Sequence, residues 1–347
     1  MYSHPAVGFP RVELSARIGT VTTAEPFVIA RGTEEVNEVL WVELRQEGVV
    51  GRGEAAPIPR YEESAQSALA YAEDVASELG DDPFAIEEIM ERLPRREFAA
   101  RAAIDSALHD LQGKLVGRPV YQLLGLPRVG PPTSWTIWLG DPDDMAARAE
   151  RAAGRFLRLK LKLGAGDGRD VERVRAVHDA APGVPLQVDV NEAWTFDEAV
   201  DSLPQLTALG VEYCEQPLAA GDADGAELKS RSPIPIYVDE DCHTLADVAA
   251  CAERAHGINV KLAKSGGIRE AVRMVHAARA LELGCMLGCM IESGLGIAAG
   301  AHIASLFDHV DLDGNVLLGE DPWPGVQLVD GVQVPAELPG LGVSSRE

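Results

Sequence analysis

The chain has 347 residues, 46% of them hydrophobic, and its 31 lysines and arginines against 55 aspartates and glutamates give a formal net charge of −24. This length and composition predict a globular protein of two domains, or of one barrel with an attached module. The negative charge argues against nucleic acid or an anionic membrane as a partner, so we expect the protein to act on a small molecule.

Residues 1–128 have the pattern of an α+β module. Strand-like runs at Val12–Val21 and Glu38–Glu43 come first. Helix-like segments at Ser64–Leu79 and Ala99–Leu115 follow them. Strands grouped before helices are typical of an α+β unit, and the Pro- and Gly-rich stretch that follows it is a linker to the next unit.

From about residue 131 onward, short apolar runs alternate with amphipathic segments, which predicts parallel strands separated by helices. The eight runs are Thr136–Leu139, Leu157–Leu163, Leu186–Val190, Val211–Cys214, Ile234–Val238, Ile258–Leu262, Cys285–Ile291 and Val310–Leu312. The helical segments include Asp170–Ala181, Phe196–Leu209, Leu245–Ala255 and Ile268–Leu283. We therefore expect a (β/α)8-type barrel in residues 129–315, followed by a tail, residues 316–347, that folds back on the first module.

Polar residues end most of these runs at a regular spacing of 22 to 28 residues. They are Lys162, Asp189, Glu215, Asp239, Lys261, Cys289 and Asp311. Each step is about one strand, one helix and two loops, so successive residues occupy equivalent places on adjacent strands. In a barrel the carboxyl ends of the strands form one rim, where chemistry concentrates. We expect these side chains to converge there.

Three of these residues, Asp189, Glu215 and Asp239, are carboxylates on consecutive strands. At one barrel mouth they would repel one another unless a cation lay among them. Oxygen ligands of this kind suit Mg²⁺, with Mn²⁺ as the alternative. The competing interpretation is that each acid caps a helix or lies in a solvated loop.

Lysine is used sparingly, and four of the six lysines lie in two short apolar runs. Lysine can lose its proton where arginine cannot, so this placement indicates acid/base chemistry. Lys160 and Lys162 are two apart on one strand and share a face, while Lys261 lies across the mouth. Proton removal on one side of a carbon and delivery on the other would invert a stereocentre. The alternative is that the lysines only pair with the acids.

Five short motifs together resemble the signature of the enolase superfamily, muconate-lactonizing-enzyme subgroup. They are Lys160-Leu-Lys162, Asp189-Val-Asn191, Glu215-Gln-Pro217, Asp239-Glu240 and the segment Lys261–Gly267. The segments 103–125 and 53–61 resemble the capping domain and the substrate-covering loop of that family. The resemblance implies an α/β fold, a modified TIM barrel of the (β/α)7β type, capped by an α+β domain that both termini form.

The resemblance also implies roles for the residues at the barrel mouth. Mg²⁺ would be held by Asp189, Glu215 and Asp239, and Lys162 and Lys261 would be the acid/base pair. The shared step of the superfamily is removal of a proton α to a carboxylate, and the charge that develops must be stabilised electrostatically. Lys160 would contribute to this from the substrate-binding side. Neighbouring cations should also lower the pKa of Lys162.

The reaction within the superfamily is narrowed by a motif at the last strand. No His-Asp dyad is evident at the later strands, which leaves epimerases, cycloisomerases, and o-succinylbenzoate synthases or N-succinylamino acid racemases. Asp311-Leu312-Asp313-Gly314 resembles the motif with which dipeptide epimerases bind the α-ammonium group of the substrate. Both carboxylates share one face and would clamp a cationic amine. An ordinary turn is the alternative.

Other family contacts fall on further residues of this chain. Thr136 and Cys289 stand where family members contact the substrate, and Arg31 and Arg60 lie in capping loops that could meet an anionic group. Lys264 and Asn191 would support the metal ligands. The family more often has Ser where Asp241 stands, next to Glu240, and we expect this difference to bear on how Asp239 is oriented.

The sequence therefore predicts an Mg²⁺-dependent dipeptide epimerase that inverts the Cα of the C-terminal residue. The alternatives are a cycloisomerase or o-succinylbenzoate synthase of the same scaffold, and a binding protein that has kept the metal site without the chemistry. No run reaches the roughly 18 apolar residues of a membrane span, no secretory pattern opens the chain, and the odd cysteine count favours a reducing compartment. We expect a cytoplasmic protein, and the sequence allows a homo-oligomer.

Overall fold

The N-terminal part of the computed structural model, which describes residues 10–346, is an antiparallel sheet covered by helices. Its strands pair in the order β1-β2-β3. They are β1 (Glu13–Ile29), β2 (Gly32–Gln46) and β3 (Val49–Ala55), and the helices are α1 (Ala65–Val75), α2 (Ile86–Arg92), α3 (Phe98–Val116) and α4 (Val120–Leu123). Helix α3 lies so close to β3 that a Cβ at Gly53 would be 2.0 Å from the carbonyl oxygen of Ala103.

Eight parallel strands form the second sheet, in the unbroken order β4 to β11. They are β4 (Trp135–Ile137), β5 (Leu159–Lys162), β6 (Leu186–Asp189), β7 (Val211–Glu215), β8 (Ile236–Val238), β9 (Gly257–Lys261), β10 (Gly284–Gly288) and β11 (His309–Asp311). A parallel bridge between Thr133, just before β4, and Val310 of β11 brings the two edges of the sheet together. The sheet is thus a nearly closed barrel, and the predicted fold class is confirmed.

Helices surround the barrel and bury its outer surface. They are α5 (Pro142–Ala152), α6 (Asp170–Ala180), α7 (Phe196–Ala208), α8 (Gly225–Arg231), α9 (Val248–Arg254), α10 (Leu262–Ser265), α11 (Ile268–Ala280) and α12 (Gly294–Ala301). Two large apolar clusters fill the space between strands and helices, one in each half of the barrel. In the interior, Tyr213, Tyr237 and Met286 pack together below the mouth.

The C-terminal tail forms a hairpin of β12 (Gln327–Val329) and β13 (Val332–Val334) and then reaches the N-terminal helices. The Leu341 N–H donates to Asp110 of α3 at 2.7 Å, and the Val120 N–H donates to the Gly340 carbonyl at 3.0 Å. These contacts support grouping the tail with the N-terminal module, while the boundaries at residues 128 and 315 stay predictions. Within residues 10–346 no helix combines the length and apolar character needed to cross a membrane.

Candidate active site

The strand ends of the barrel bring the predicted carboxylates and lysines to one level. Lys162 is paired in register with Asp189, and Asp189 with Glu215 on the next strand. Asp239 follows directly after β8, and Lys261 ends β9, four strands round from Lys162. All five side chains are buried. The regular spacing in the sequence therefore does produce convergence at the mouth.

Lys160 lies below the mouth among three carboxylates. Its Nζ is 2.7 Å from Asp311, 2.7 Å from Glu215 and 3.4 Å from Asp189. Burial opposes its charge, but these carboxylates hold the pKa of Lys160 well above its ordinary value. The residue is therefore a fixed positive charge in the floor of the site, and its side chain is not part of the pocket wall.

Asp239 is held by two lysines. Lys261 contacts one carboxylate oxygen at 2.7 Å and Lys264 the other at 2.6 Å. Lys264 also donates to the carbonyl groups of Asp239 and Asn259, at 2.7 and 2.8 Å. Burial opposes ionisation of Asp239, but the two ammonium groups lower its pKa. Lys264 is buried under the site and fixes the orientation of this carboxylate.

Replacing Lys264 with methionine should therefore destabilise the protein by about 3 kcal/mol, the usual cost of removing one partner of a buried ion pair. The measurement is the free energy of unfolding in urea. Lys229→Met is the matched control, because the Lys229 ammonium makes one hydrogen bond, to the Ala252 carbonyl, from a half-buried position. Equal unfolding free energies for the two variants would contradict a supporting role for Lys264.

Asp241 acts on Asp239 through Gln216. The Gln216 amide oxygen accepts from the N–H groups of Asp239 and Asp241, at 2.9 and 3.3 Å. Its amide nitrogen donates to the Asp241 carboxylate at 2.8 Å. The acid that stands where the family more often has Ser is thus a partner of Gln216, whose role was not predicted from the sequence.

A pocket opens between the barrel mouth and the capping sheet. Its polar wall includes most of the predicted residues: Arg31, Arg60, Thr136, Lys162, Asn191, Asp239, Lys261, Cys289, Asp311 and Asp313. Its apolar wall, which was not predicted from the sequence, includes Phe27, Ile29, Ile58, Met290, Ile291 and Leu317. Because Phe27, Ile29 and Ile58 come from the capping domain, the pocket is enclosed by both parts of the fold.

Two acids at the end of the last strand, Asp311 in β11 and Asp313 just after it, face this pocket. Asp313 accepts a hydrogen bond from the Thr136 N–H at 2.7 Å, and Asp311 accepts one from Lys160. The other oxygen of Asp311 is buried without a hydrogen-bond partner. Burial and the neighbouring charge of Asp311 raise the pKa of Asp313 to about 7. Cys289 lies beside them, and burial raises the pKa of its thiol.

Arg31 and Arg60 reach the pocket from the capping domain, but carboxylates of the barrel already contact them. Arg31 is 2.6 Å from Glu240 and 3.3 Å from Glu192. Arg60 is 2.9 Å from Glu192. Burial and the charges of Asp239 and Asp189 raise the pKa of Glu240 to about 7. An anionic substrate group would have to compete with these acids for either guanidinium.

The chemistry of Asp189, Glu215 and Asp239 fits a hard divalent cation. All three offer carboxylate oxygens, the ligands that such cations prefer. Burial and the charge of Asp189 raise the pKa of Glu215, and a bound cation would offset both effects. In the arrangement described for residues 10–346, lysine ammonium groups contact these acids, and no three His, Cys, Asp or Glu side chains form a group that could hold a metal. A cation here would replace ammonium groups as partner of the carboxylates.

Comparison with known proteins gives two family matches. The N-terminal domain of mandelate racemase and muconate lactonizing enzyme matches residues 13–125, and the enolase C-terminal domain-like family matches residues 144–347. The L-Ala-D/L-Glu epimerase of Bacteroides thetaiotaomicron is 38% identical over 324 residues, which are 91% of this chain and 84% of that protein.

Two solved structures show how widely the fold is shared. A dipeptide epimerase from Enterococcus faecalis V583, complexed with Mg and L-Leu-L-Tyr, has a TM-score of 0.90 and 32% identity, covering 96% of this chain and 100% of its own. A muconate lactonizing enzyme from Pseudomonas fluorescens, complexed with muconolactone, has a TM-score of 0.91 and 32% identity, covering 97% of each chain.

The chain is an enzyme of the isomerase class, as its relatives named epimerases indicate, and its pocket lies at the strand ends of the capped barrel. The chain belongs to the enolase superfamily, and the prediction made from the sequence motifs is confirmed. Because a dipeptide epimerase and a muconate lactonizing enzyme match the fold equally well, the fold does not distinguish between their reactions.

Proposed function

We propose that the protein is an Mg²⁺-dependent dipeptide epimerase that inverts the Cα of the C-terminal residue of an L,L-dipeptide. The observation that carries the proposal is the acidic pair Asp311 and Asp313 in the wall of the same pocket as Lys162 and Lys261. Asp311 has a buried oxygen without a hydrogen-bond partner. Fold and motifs leave several reactions open, and this pair favours a substrate that carries an ammonium group.

The acidic pair discriminates by charge. A free α-ammonium group would bind both carboxylates and would offset the burial and the repulsion from Asp311 that raise the pKa of Asp313. A muconate or a succinylated amino acid would bring a further negative charge or leave the pair unmatched, which costs binding energy. The clamp therefore favours the epimerase over the cycloisomerase and o-succinylbenzoate synthase of the same scaffold.

The two lysines would perform the proton transfer. Lys162 and Lys261 come from strands four positions apart and reach the pocket from separate directions. One would remove the α-proton to leave a planar enediolate, and the other would return a proton to the opposite face. Lys160, which is buried beneath the pocket, would stabilise the negative charge that develops as the enediolate forms.

The metal site belongs to the same proposal. Asp189, Glu215 and Asp239 would hold Mg²⁺, with Mn²⁺ as the alternative, and the bound ion would stabilise negative charge on the substrate carboxylate. The dipeptide epimerase from Enterococcus faecalis is complexed with Mg. A cytoplasmic location and a homo-oligomeric state stay predictions from the sequence.

A library of L,L-dipeptides incubated with enzyme and Mg²⁺ in D₂O should show a one-dalton gain at the C-terminal residue of the substrates. Mass spectrometry measures the gain, and EDTA should abolish it. The same dipeptides with an acetylated amine are the matched control and should exchange far more slowly. No exchange anywhere in the library, with turnover of substrates that lack an amine, would replace the epimerase by the cycloisomerase or o-succinylbenzoate synthase.

A further inference from the structure

Glu192 lies where three distant segments meet at the rim of the pocket. Its carboxylate accepts two hydrogen bonds from Arg60, at 2.9 and 3.0 Å, and one from Arg31 at 3.3 Å. The backbone N–H of Ala220, after β7, donates to it at 2.9 Å. Arg31 lies between β1 and β2, and Arg60 lies in the loop after β3, so one carboxylate joins two capping segments to the barrel.

The side chain of Glu192 is outside the pocket wall, although both of its arginine partners belong to that wall. It is 14% exposed, against 36% and 38% for Arg31 and Arg60. Asn191 and Glu192 both have positive φ, 49° and 71°. Non-glycine residues keep this conformation only where their surroundings hold it, and such positions cluster at functional sites.

An ordinary surface ion pair in the same chain shows what is unusual here. Arg169 and Glu172 make the same two-bond contact, at 2.9 and 3.0 Å. That pair lies three residues apart at the start of α6 and is 42% and 56% exposed. Glu172 therefore contacts an arginine of its own turn, whereas Glu192 spans 132 residues to Arg60 and 161 residues to Arg31.

We propose that Glu192 is a positioning residue, which holds the capping segments of Arg31 and Arg60 over the pocket. Without its charge, Arg31 keeps its ion pair with Glu240 and its hydrogen bond to the Asn191 carbonyl, whereas Arg60 loses the carboxylate that holds it to the barrel. Both segments then move away from the mouth, and the pocket loses part of its wall. The kinetic consequence rests on the proposed epimerase function, but the structural consequence does not.

Glu192→Gln removes the charge and leaves an amide oxygen that can still accept from the Ala220 N–H. We expect KM for dipeptides to rise about tenfold, equivalent to about 1.4 kcal/mol, with kcat changed less than twofold, because the lysines are untouched. Glu172→Gln is the matched control and should leave both constants unchanged. A loss of about tenfold in kcat with unchanged KM would overturn the positioning role.

Trypsin tests the same contact without any substrate, because Arg31 and Arg60 are themselves cleavage sites. In Glu192→Gln, cleavage after both residues should be at least about fivefold faster than in the unaltered protein, as measured by mass spectrometry of the fragments. In Glu172→Gln it should not change. Unchanged cleavage after both arginines overturns the proposal, even if no dipeptide is ever epimerised.

Arg60→Gln removes the ion pair between Arg60 and Glu192 at the more exposed of the two residues. This variant provides the test if Glu192→Gln fails to fold. It should accelerate cleavage after Arg31 as well, because the two segments share one carboxylate. Cleavage after Arg31 at the unaltered rate would show that the segments are held separately and would contradict a common support.

Discussion

Replacing either Lys162 or Lys261 with alanine is expected to lower dipeptide epimerisation by at least about 10³-fold, within the range that general acid/base groups contribute. Inversion needs a base on one face of the α-carbon and an acid on the other. The two lysines come from strands on opposite sides of the barrel and both reach the pocket. Removing either lysine leaves inversion without the base or without the acid that it needs.

Exchange of the α-proton with D₂O tests each lysine separately. Each single variant keeps one lysine, so it should still exchange the α-proton of one epimer with D₂O. The two variants should exchange opposite epimers, which NMR or mass spectrometry of pure L,L- and L,D-dipeptides would detect. The double variant should exchange neither.

Lys229→Ala is the control, because Lys229 contacts a backbone carbonyl on α9, away from the pocket. Lys261→Ala leaves Asp239 paired with Lys264, so the variant keeps a partner for that buried carboxylate. Circular dichroism melting would check that each variant is folded. Epimerisation by the double variant, or exchange of the same epimer by both single variants, would contradict the two-base mechanism.

The barrel could be predicted because its strands are buried on both faces and read as nearly continuous apolar runs. The capping sheet was harder. Its first two strands extend to Ile29 and Gly32, beyond the predicted Val12–Val21 and Glu38–Glu43, because the hairpin end projects with exposed acidic residues that break the alternation.

Strand β3 was missed for a physical reason that only the tertiary structure reveals. Gly51 and Gly53 weaken its strand pattern, yet both are needed because α3 packs directly on them. A Cβ at either position would lie within 2.3 Å of a carbonyl oxygen of that helix. Glycine ordinarily weakens a strand, but here it permits close packing of the helix. The residues around β3 do not reveal that α3, about 50 residues further along the chain, packs on it.

The site divides in the same way. Residues at strand ends, such as Asp189 and Glu215, follow from regular spacing, because adjacent parallel strands place equivalent positions side by side. The apolar pocket wall and the contacts of Glu192 depend on where loops from distant parts of the chain come to rest. Arg31 could be named as a candidate, but its partners Glu192 and Glu240 could not.

Asp313→Asn is expected to lower kcat/KM for dipeptides with a free amine by about 10- to 100-fold, since a hydrogen bond to a charged group contributes about 1.5–3 kcal/mol. Asp313 gives a cleaner test than Asp311, whose carboxylate also contacts Lys160 in the floor of the site. An asparagine oxygen can still accept the hydrogen bond from Thr136.

The dependence of kcat/KM on pH separates a charge effect from a loss of shape. Burial and Asp311 raise the pKa of Asp313 to about 7, so in the free enzyme this group binds a proton as the pH falls through that value. The carboxylate form is the one that attracts an ammonium group, so kcat/KM should fall below about pH 7. It should fall again as the substrate amine loses its proton above about pH 8.

The asparagine variant cannot ionise at this position, so its profile should lose the fall below pH 7 and keep the fall at high pH. Asp308→Asn is the matched control. Asp308 lies just before the first residue of β11, and it pairs with Arg279 outside the pocket. Its profile should be that of the unaltered enzyme. If Asp313→Asn kept both falls and full activity toward free-amine dipeptides, Asp313 would not bind the ammonium group, and the strongest reason for choosing a dipeptide over a substrate without an amine would be removed.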